Sequence, residues 1–210
     1  MASHLIKDDE KILILYGDVP LISSKTIEGL MNSGYECPLL TMQLNDPTGY
    51  GRVITNGQNL ALKIIEQKDA SDDELKIEEV FTGILLIDGS LLRPALEEIK
   101  NQNSANEYYL TDLVEILSGK GVKIKCIHAN PAEVLGANNK HELHELESIL
   151  RKMSAEKLLQ QGITLLDATR VDVRGNVEAG KDCSVDVNVI FEGTVILGEN
   201  VTIKSNVVLQ

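Results

Sequence analysis

Positive charge is scarce in this chain of 210 residues. Its 20 lysines and arginines stand against 32 aspartates and glutamates, for a formal net charge of -12. Such a chain repels nucleic-acid phosphates and anionic membrane surfaces, so a phosphate-bearing ligand needs a local site and polynucleotide binding is not expected. Cysteine is scarce too: Cys37, Cys126 and Cys183 are scattered, odd in number and set among apolar neighbours. They predict free thiols in a reducing compartment, with neither a disulfide nor a zinc framework. No run reaches the roughly 18 apolar residues of a membrane span, and the start "MASHLIKDDEK" lacks the apolar core of a signal peptide. The expectation is a cytoplasmic protein with no nucleic-acid or membrane partner. What is present is ordinary globular material, 43% hydrophobic, in a length that allows one sizeable core and a smaller second unit.

Two periodicities share the chain. Up to about residue 137, short aliphatic runs bounded by Gly, Pro, Asn or Asp predict strands: "KILILY" (11–16), "LLTMQL" (39–44), "LALKIIE" (60–66), "FTGILLI" (81–87) and "VKIKCIH" (122–128). Between them, "SSKTIEGLMNSG" carries serines at its start and Gly34 at its end, the capping asymmetry of a helix, and "YLTDLVEILSGKG" repeats that logic with Gly119. Alternating strands and helices predict an α/β unit over residues 1–138. Leu143, Leu146, Ile149, Leu150 and Met153 then fall at helical spacing among charged residues, so residues 139–166 read as a helical linker arm.

Over residues 167–210 the period becomes six. Val171, Val177, Cys183, Val189, Val195, Val201 and Val207 form one apolar ladder. Val173, Ala179, Val185, Phe191, Leu197, Ile203 and Leu209 form a second, two positions later. Positions two apart share one face of a strand, so both ladders can line one interior. Asn176, Asp182, Asn188, Thr194, Asn200 and Asn206 form a polar ladder just before the first, and Asn and Asp suit the left-handed backbone of a tight corner. The pattern predicts a parallel β-helix of hexapeptides, since a β-sandwich would not keep a strict six-residue step. Because Gln210 falls in mid-pattern with no capping segment, the repeat is expected to be cut short at that end.

Two stretches carry candidate chemistry. Asp18, in "ILYGDVPLI", follows a strand, at the edge where open α/β sheets place ligands. One well-placed aspartate is a usual protein contribution to Mg²⁺ held together with substrate phosphates. On spacing alone a turn aspartate before Pro20 fits as well. In "NDPTGYGRV", Asp46, Pro47, Gly49 and Gly51 make a tight turn whose glycines let backbone amides approach a ligand, although a glycine-rich hairpin without one would look similar.

Six stretches occur in order: "LYGDVPLI", "DPTGYGR", "EQKDAS", "NEYYLTD", "EVLGANN" and the terminal hexapeptides. With them the chain, from about residue 11 to 210, resembles the bacterial bifunctional N-acetylglucosamine-1-phosphate uridylyltransferase / glucosamine-1-phosphate acetyltransferase family. The resemblance implies an α/β nucleotidyltransferase fold, Rossmann-like with a mixed sheet and incomplete here, followed by the arm and a short left-handed parallel β-helix. It implies that UTP and N-acetylglucosamine 1-phosphate give UDP-N-acetylglucosamine and pyrophosphate with Mg²⁺ as cofactor. By the same resemblance Asp18 and Asn138 hold the Mg²⁺, Tyr16 and Gly17 line the sugar-nucleotide site, Gly51 offers a backbone contact and Glu66 contacts the sugar. Attack of one anion on another makes positioning and charge neutralisation matter more than a proton-transferring base. Read without the resemblance, Asn138 also suits a helix cap before the arm.

The chain departs from the family in two places. The family opens with a glycine-rich phosphate loop that has no counterpart before residue 11, and its "NTG" reads "FTG" here, so Phe81 replaces a hydrogen-bonding asparagine. By the resemblance, the family's acetyl-transfer residues belong to later coils than these 210 residues contain. Little or no turnover is therefore expected of these 210 residues alone, and the family implies a homotrimer. The alternative is a non-catalytic assembly or regulatory module. His141 and His144 read as a solvated helix face rather than a metal pair.

Overall fold

Along Glu79–Asp88 the side chains sort by parity. Val80, Ile84 and Leu86 enter one apolar cluster, and Phe81, Leu85 and Ile87 another. A strand buried on both faces is the middle of a layered unit. The computed structural model describes residues 3–210, which divide into two units, Met1–Gly136 and Ala137–Gln210.

The strands of the first unit are β1 (Lys11–Ile14), β2 (Leu39–Gln43), β3 (Arg52–Thr55), β4 (Leu60–Ile65), β5 (Glu79–Asp88) and β6 (Ile124–His128). Its helices are α1 (Ser24–Met31), α2 (Gly89–Glu98), α3 (Asp112–Gly119) and the single turn α4 (Pro131–Val134). Leu92, Ala95, Leu113, Val114 and Leu117, from α2 and α3, fill the cluster that takes Phe81. Leu30 of α1 and Val134 of α4 fill the other. The five strands expected from the apolar runs are all present with ends shifted by a few residues, whereas β3 and α2 were not anticipated.

The expected mixed sheet is there, but its open, Rossmann-like form is not. β5 borders β2 along one edge, while its other edge is shared between β1, near its end, and β3, near its start through Arg52↔Val80. The order β5-β2-β6-β4-β3 thereby returns to β5 and the sheet closes into a ring. Antiparallel returns make this closure reachable; among the described residues only β2 and β6 pair in parallel in this sheet. The β2–β5 register runs Leu39↔Leu85 and then Thr41↔Phe81, so β5 bulges around Gly83, whose φ is +81°. Bulges bend a strand and re-aim side chains beside functional sites.

The second unit begins with α5 (Lys140–Gln160), capped at Asn139. Strands β7 (Thr164–Leu165), β8 (Val171–Ala179), β9 (Ser184–Val185), β10 (Val189–Leu197), β11 (Thr202–Ile203) and β12 (Val208–Leu209) follow. They stack in parallel in two three-stranded sheets, β12-β10-β8 and β11-β9-β7. The β8–β10 register pairs Val171 with Val189 and Leu197 with Ala179. Side chains one step apart bond across the stack at a separation of 18 residues, as from Asn188 Nδ2 to Asn206 Oδ1 at 2.9 Å and from Ser184 Oγ to Thr202 Oγ1 at 3.2 Å. Three hexapeptides therefore make one turn of the stack, and both apolar ladders enter a single cluster with Leu158 and Ile163.

The polar ladder is right at four of its six positions. Asp182, Asn188, Asn200 and Asn206 have φ near +60°. Asn176 and Thr194 instead lie inside the nine-residue strands β8 and β10, where no left-handed corner is made by the ladder residue. There the chain bends at paired glycines: a Cβ on Gly175 would lie 2.0 Å from the Gly193 carbonyl oxygen, and Gly193 itself has φ +70°. Cys37, Cys126 and Cys183 are free and buried. Among the described residues no helix is long and apolar enough to cross a membrane.

Candidate functional site

The run that forms β1 ends at Ile14, and the chain turns at once, with the Val19 amide donating to the Tyr16 carbonyl at 3.4 Å. Val19 is buried while Tyr16 and Asp18 stay accessible. The Tyr16 ring lies over the β5 bulge: a Cβ on Gly83 would come within 2.2 Å of ring carbon Cδ2. Gly83 is thus required twice, by its positive φ and by the ring above it. Burial pushes the Tyr16 phenol above its ordinary value, and the nearby Glu66 and Asp18 carboxylates push it further. Tyr16, Asp18 and Glu66 therefore share one neighbourhood, although the last two lie 48 positions apart in the chain.

Glu66 follows β4 directly, and its Oε1 accepts a 2.8 Å hydrogen bond from the hydroxyl of Thr111, which is 5% exposed. Gly51 faces the same carboxylate; a Cβ there would lie 2.9 Å from Ile64 Cγ2 and 3.6 Å from Glu66 Oε1. The Gly51 carbonyl accepts from the Phe81 amide at 2.9 Å, which ties the glycine turn to β5. The rest of that turn is pinned from within. Asp46 Oδ1 accepts from the Thr48 amide at 3.1 Å, and Gln67 Oε1 accepts from the Gly49 amide at 2.9 Å and from Arg52 Nη2 at 3.0 Å. Asp46 is held below the usual carboxylate range, first by Thr48.

The surroundings are acidic. Burial raises the Asp112 carboxyl, and Glu115, Glu66 and Asp69 add to the rise. Burial likewise raises the Tyr109 phenol, with Asp69 and Glu107 adding to it. Facing Asp18 is Gly136, where a Cβ would come within 3.4 Å of Asp18 Oδ2. Among the described residues the Asp18 carboxylate receives no side-chain or backbone hydrogen bond, so its oxygens are open to a ligand.

The structure brings Tyr16, Asp18, Gly51 and Glu66 together, with Gly17 between the first two. Asn138 belongs to the second unit. The helix cap is Asn139, whose Oδ1 accepts from the His141 and Glu142 amides at 2.9 and 3.0 Å. The Asn138 amide donates to Glu142 Oε2 at 2.6 Å, and that bond is the first of those holding Glu142 below its usual range. Phe81 is 5% exposed and packs in the core with Val53 and Leu85. His141 is exposed beside Glu145 at 3.5 Å, and no group of three or more His, Cys, Asp or Glu set to hold a metal occurs among the described residues. Sequence reasoning missed Thr111 and Gly83. Thr111 lies within the quoted "NEYYLTD", but only the fold sets it against Glu66. An open cleft of about 440 Å³ lined by Gln43, Val53, Thr55, Lys76 and Glu79 among others shares no residue with this cluster.

No family model matches the chain. Curated proteins do, along nearly its whole length. The Bifunctional protein GlmU of Idiomarina loihiensis is 44% identical over 208 residues, covering 98% of this chain and 46% of that protein. That of Methylococcus capsulatus is 44% identical over 213 residues, covering 100% and 46%. That of Burkholderia multivorans is 44% identical over 214 residues, covering 100% and 47%. This chain is similar to GlmU proteins. It spans about half the length of the GlmU proteins it matches, and the resemblance carried by the six stretches holds. A Bacillus anthracis structure assigned as a glucose-1-phosphate thymidylyltransferase, in complex with a sucrose, aligns with TM-score 0.51 and 19% identity over 69% of this chain and 56% of its own. Over that stretch the two chains share a fold.

Proposed function

We propose that these residues form the sugar-side part of a uridylyltransferase that makes UDP-N-acetylglucosamine and pyrophosphate from UTP and N-acetylglucosamine 1-phosphate. The observation that carries this reading is the convergence of Tyr16, Asp18, Gly51 and Glu66, four residues the family resemblance names, from three separate stretches of chain. Glu66, fixed by Thr111, would accept hydrogen bonds from sugar hydroxyls, and the Gly51 backbone would approach the sugar where a side chain would block it. Tyr16 would wall the nucleotide side.

A ring of carboxylates repels phosphate, so the site needs a cation to accept a sugar phosphate. The residues fit Mg²⁺: Asp18 offers an uncommitted carboxylate, and Gly136, lacking a Cβ, leaves space at Oδ2. Mg²⁺ takes one or two protein oxygens and completes its shell with water and phosphate. The resemblance assigns Asn138 as the second protein oxygen. Bound there, the ion would supply charge neutralisation between the two anionic reactants. The stacked hexapeptides are read as a left-handed β-helix that assembles a trimer, and the setting as cytoplasmic.

Calorimetric titration of the 210-residue chain with UDP-N-acetylglucosamine should show binding that requires Mg²⁺ and disappears in Asp18→Ala and Glu66→Ala. Absence of binding by the unsubstituted chain overturns the reading. Pyrophosphate release by these residues alone should be undetectable, because no basic group grips the UTP phosphates within the cluster described. The second reading, a non-catalytic module, is favoured by one observation: Phe81 has joined the core. If Phe81→Asn in a full-length context leaves turnover unchanged, that reading gains.

A further inference from the structure

Glu133 has no part in the site described, yet it joins the two backbone segments that meet there. Its Oε2 accepts from the Ser23 amide at 3.3 Å, the Ser23 hydroxyl at 2.9 Å and the Thr26 hydroxyl at 2.5 Å. Ser23 is also the N-cap of α1, its hydroxyl accepting from the Thr26 amide at 3.2 Å. One carboxylate oxygen thus fastens the start of α1, which follows the Asp18 turn, to α4, which leads into Gly136. Bonds to an ionised acceptor are about twice as strong as neutral ones.

A second fastener lies alongside. Val19 and Val134, 8% and 1% exposed, are buried in the same apolar cluster. Asp18 is the neighbour of the first, and Gly136 lies two residues past the second. Between the fasteners and the Asp18–Gly136 approach there is little chain left to flex. A helix cap alone would need only the Ser23 hydroxyl; the carboxylate arriving from 110 residues away is extra to that need.

From this geometry we infer that Glu133 is a positioning residue, which through Ser23 and Thr26 holds the Asp18 carboxylate against Gly136 so that a divalent cation meets an oxygen already in place. The inference rests on the reading above, in which Asp18 contacts that cation. A rigid ligand loses less freedom on binding, so the latch acts on affinity as well as on stability.

The test uses Mn²⁺ as probe, with the 210-residue chain and UDP-N-acetylglucosamine, free Mn²⁺ being read by electron paramagnetic resonance. Glu133→Ala should weaken Mn²⁺ binding by roughly three- to tenfold, and Thr26→Val, which deletes one donor and keeps the shape, by about half that factor. The double variant should be no weaker than Glu133→Ala, because both act through one bond network. Amide exchange at residues 18–23 should rise in parallel. Unchanged Mn²⁺ affinity in folded Thr26→Val and Glu133→Ala, even with lowered melting temperatures, overturns the inference and leaves Glu133 a structural cap. If Asp18→Ala binds Mn²⁺ as well as the unsubstituted chain, or neither binds, the functional reading itself fails and takes this inference with it.

Discussion

The two units solve the same burial problem by different means. In the first, the residues around Tyr16 come from the turn after β1, the glycine turn, the end of β4, the β5 bulge, the N-terminal side of α3 and the chain after α4. In the second, core residues of the strands pair with near copies of themselves 18 residues on, as Val171 with Val189 and Val185 with Ile203. A site for chemistry needs unlike groups at one point, which only long-range topology supplies. A stack needs like groups at equal steps, which the sequence can state directly.

A cavity in the stack gives the largest effect expected. Phe191→Ala removes a ring that is 1% exposed and should cost about 3 to 5 kcal/mol. Amide exchange should accelerate mainly at its register partners, Val173 in β8 and Leu209 in β12, and leave Glu79–Asp88 protected. Equal opening of β5 would show that the two units do not differ in how they transmit damage.

Gly83→Ala attacks the unlike-group arrangement. It places a side chain at φ +81°, a strain of roughly 1 to 2 kcal/mol, and directly under the Tyr16 ring. Tyr16 has to leave the bulge, and affinity for UDP-N-acetylglucosamine should drop by at least about tenfold, measured by calorimetry. Retained affinity would mean that the ring does not line the site.

What could be read in the sequence follows the same division. The two apolar ladders state the second unit almost residue by residue, since each coil repeats the physics of the last. Even there Asn176 and Thr194 look like corner residues and are not. A six-residue step cannot reveal that Gly175 and Gly193 make the bend by stacking backbone on backbone. In the first unit the strands and the Ser23 cap of α1 were legible because runs and caps are local, whereas at α3 the left-handed glycine is Gly121 rather than Gly119 and Thr111 makes no side-chain cap bond. Ring closure was not, as it depends on β5 changing neighbours along one edge at Arg52↔Val80. Phe81 shows the limit most plainly. Alignment by motif makes it a damaged ligand, whereas packing makes it a core residue.

A smaller effect separates true corners from apparent ones within the second unit. Asn200 has φ +58° and its side chain forms no hydrogen bond among the described residues. Asn200→Ala should cost about 1 to 2 kcal/mol and Asn200→Gly only a few tenths. Thr194→Ala, on the same ladder but inside β10, should be near neutral. Chemical denaturation of the three variants checks the order. A loss at Thr194 matching that at Asn200 would restore the uniform six-step corner.

The smallest effect concerns a device the two units share. In the first, Glu74 Oε2 accepts from the Ser71 amide at 2.9 Å and its hydroxyl at 2.7 Å. In the second, Glu142 accepts from the Asn138 amide, while Asn139 caps the Glu142 amide. Both pair a small polar residue with a glutamate three positions on, so the contact is local and indifferent to the surrounding topology. The Ser71 bonds, with help from Lys63, lower Glu74 from its ordinary 4.5 to about 2. A depressed carboxyl contributes stability that is fully present above its unfolded value and is lost as protons reach the folded form. Order in residues 71–76 should therefore hold above pH 4.5 and fade as pH falls from there toward about 2, followed by amide exchange at Ser71. Glu74→Gln should flatten that profile. Because Glu142 is lowered by the same kind of bond, the first turn of α5 should fade in the same direction. Opposite pH trends in the two units would show that even this shortest-range device answers to the fold around it.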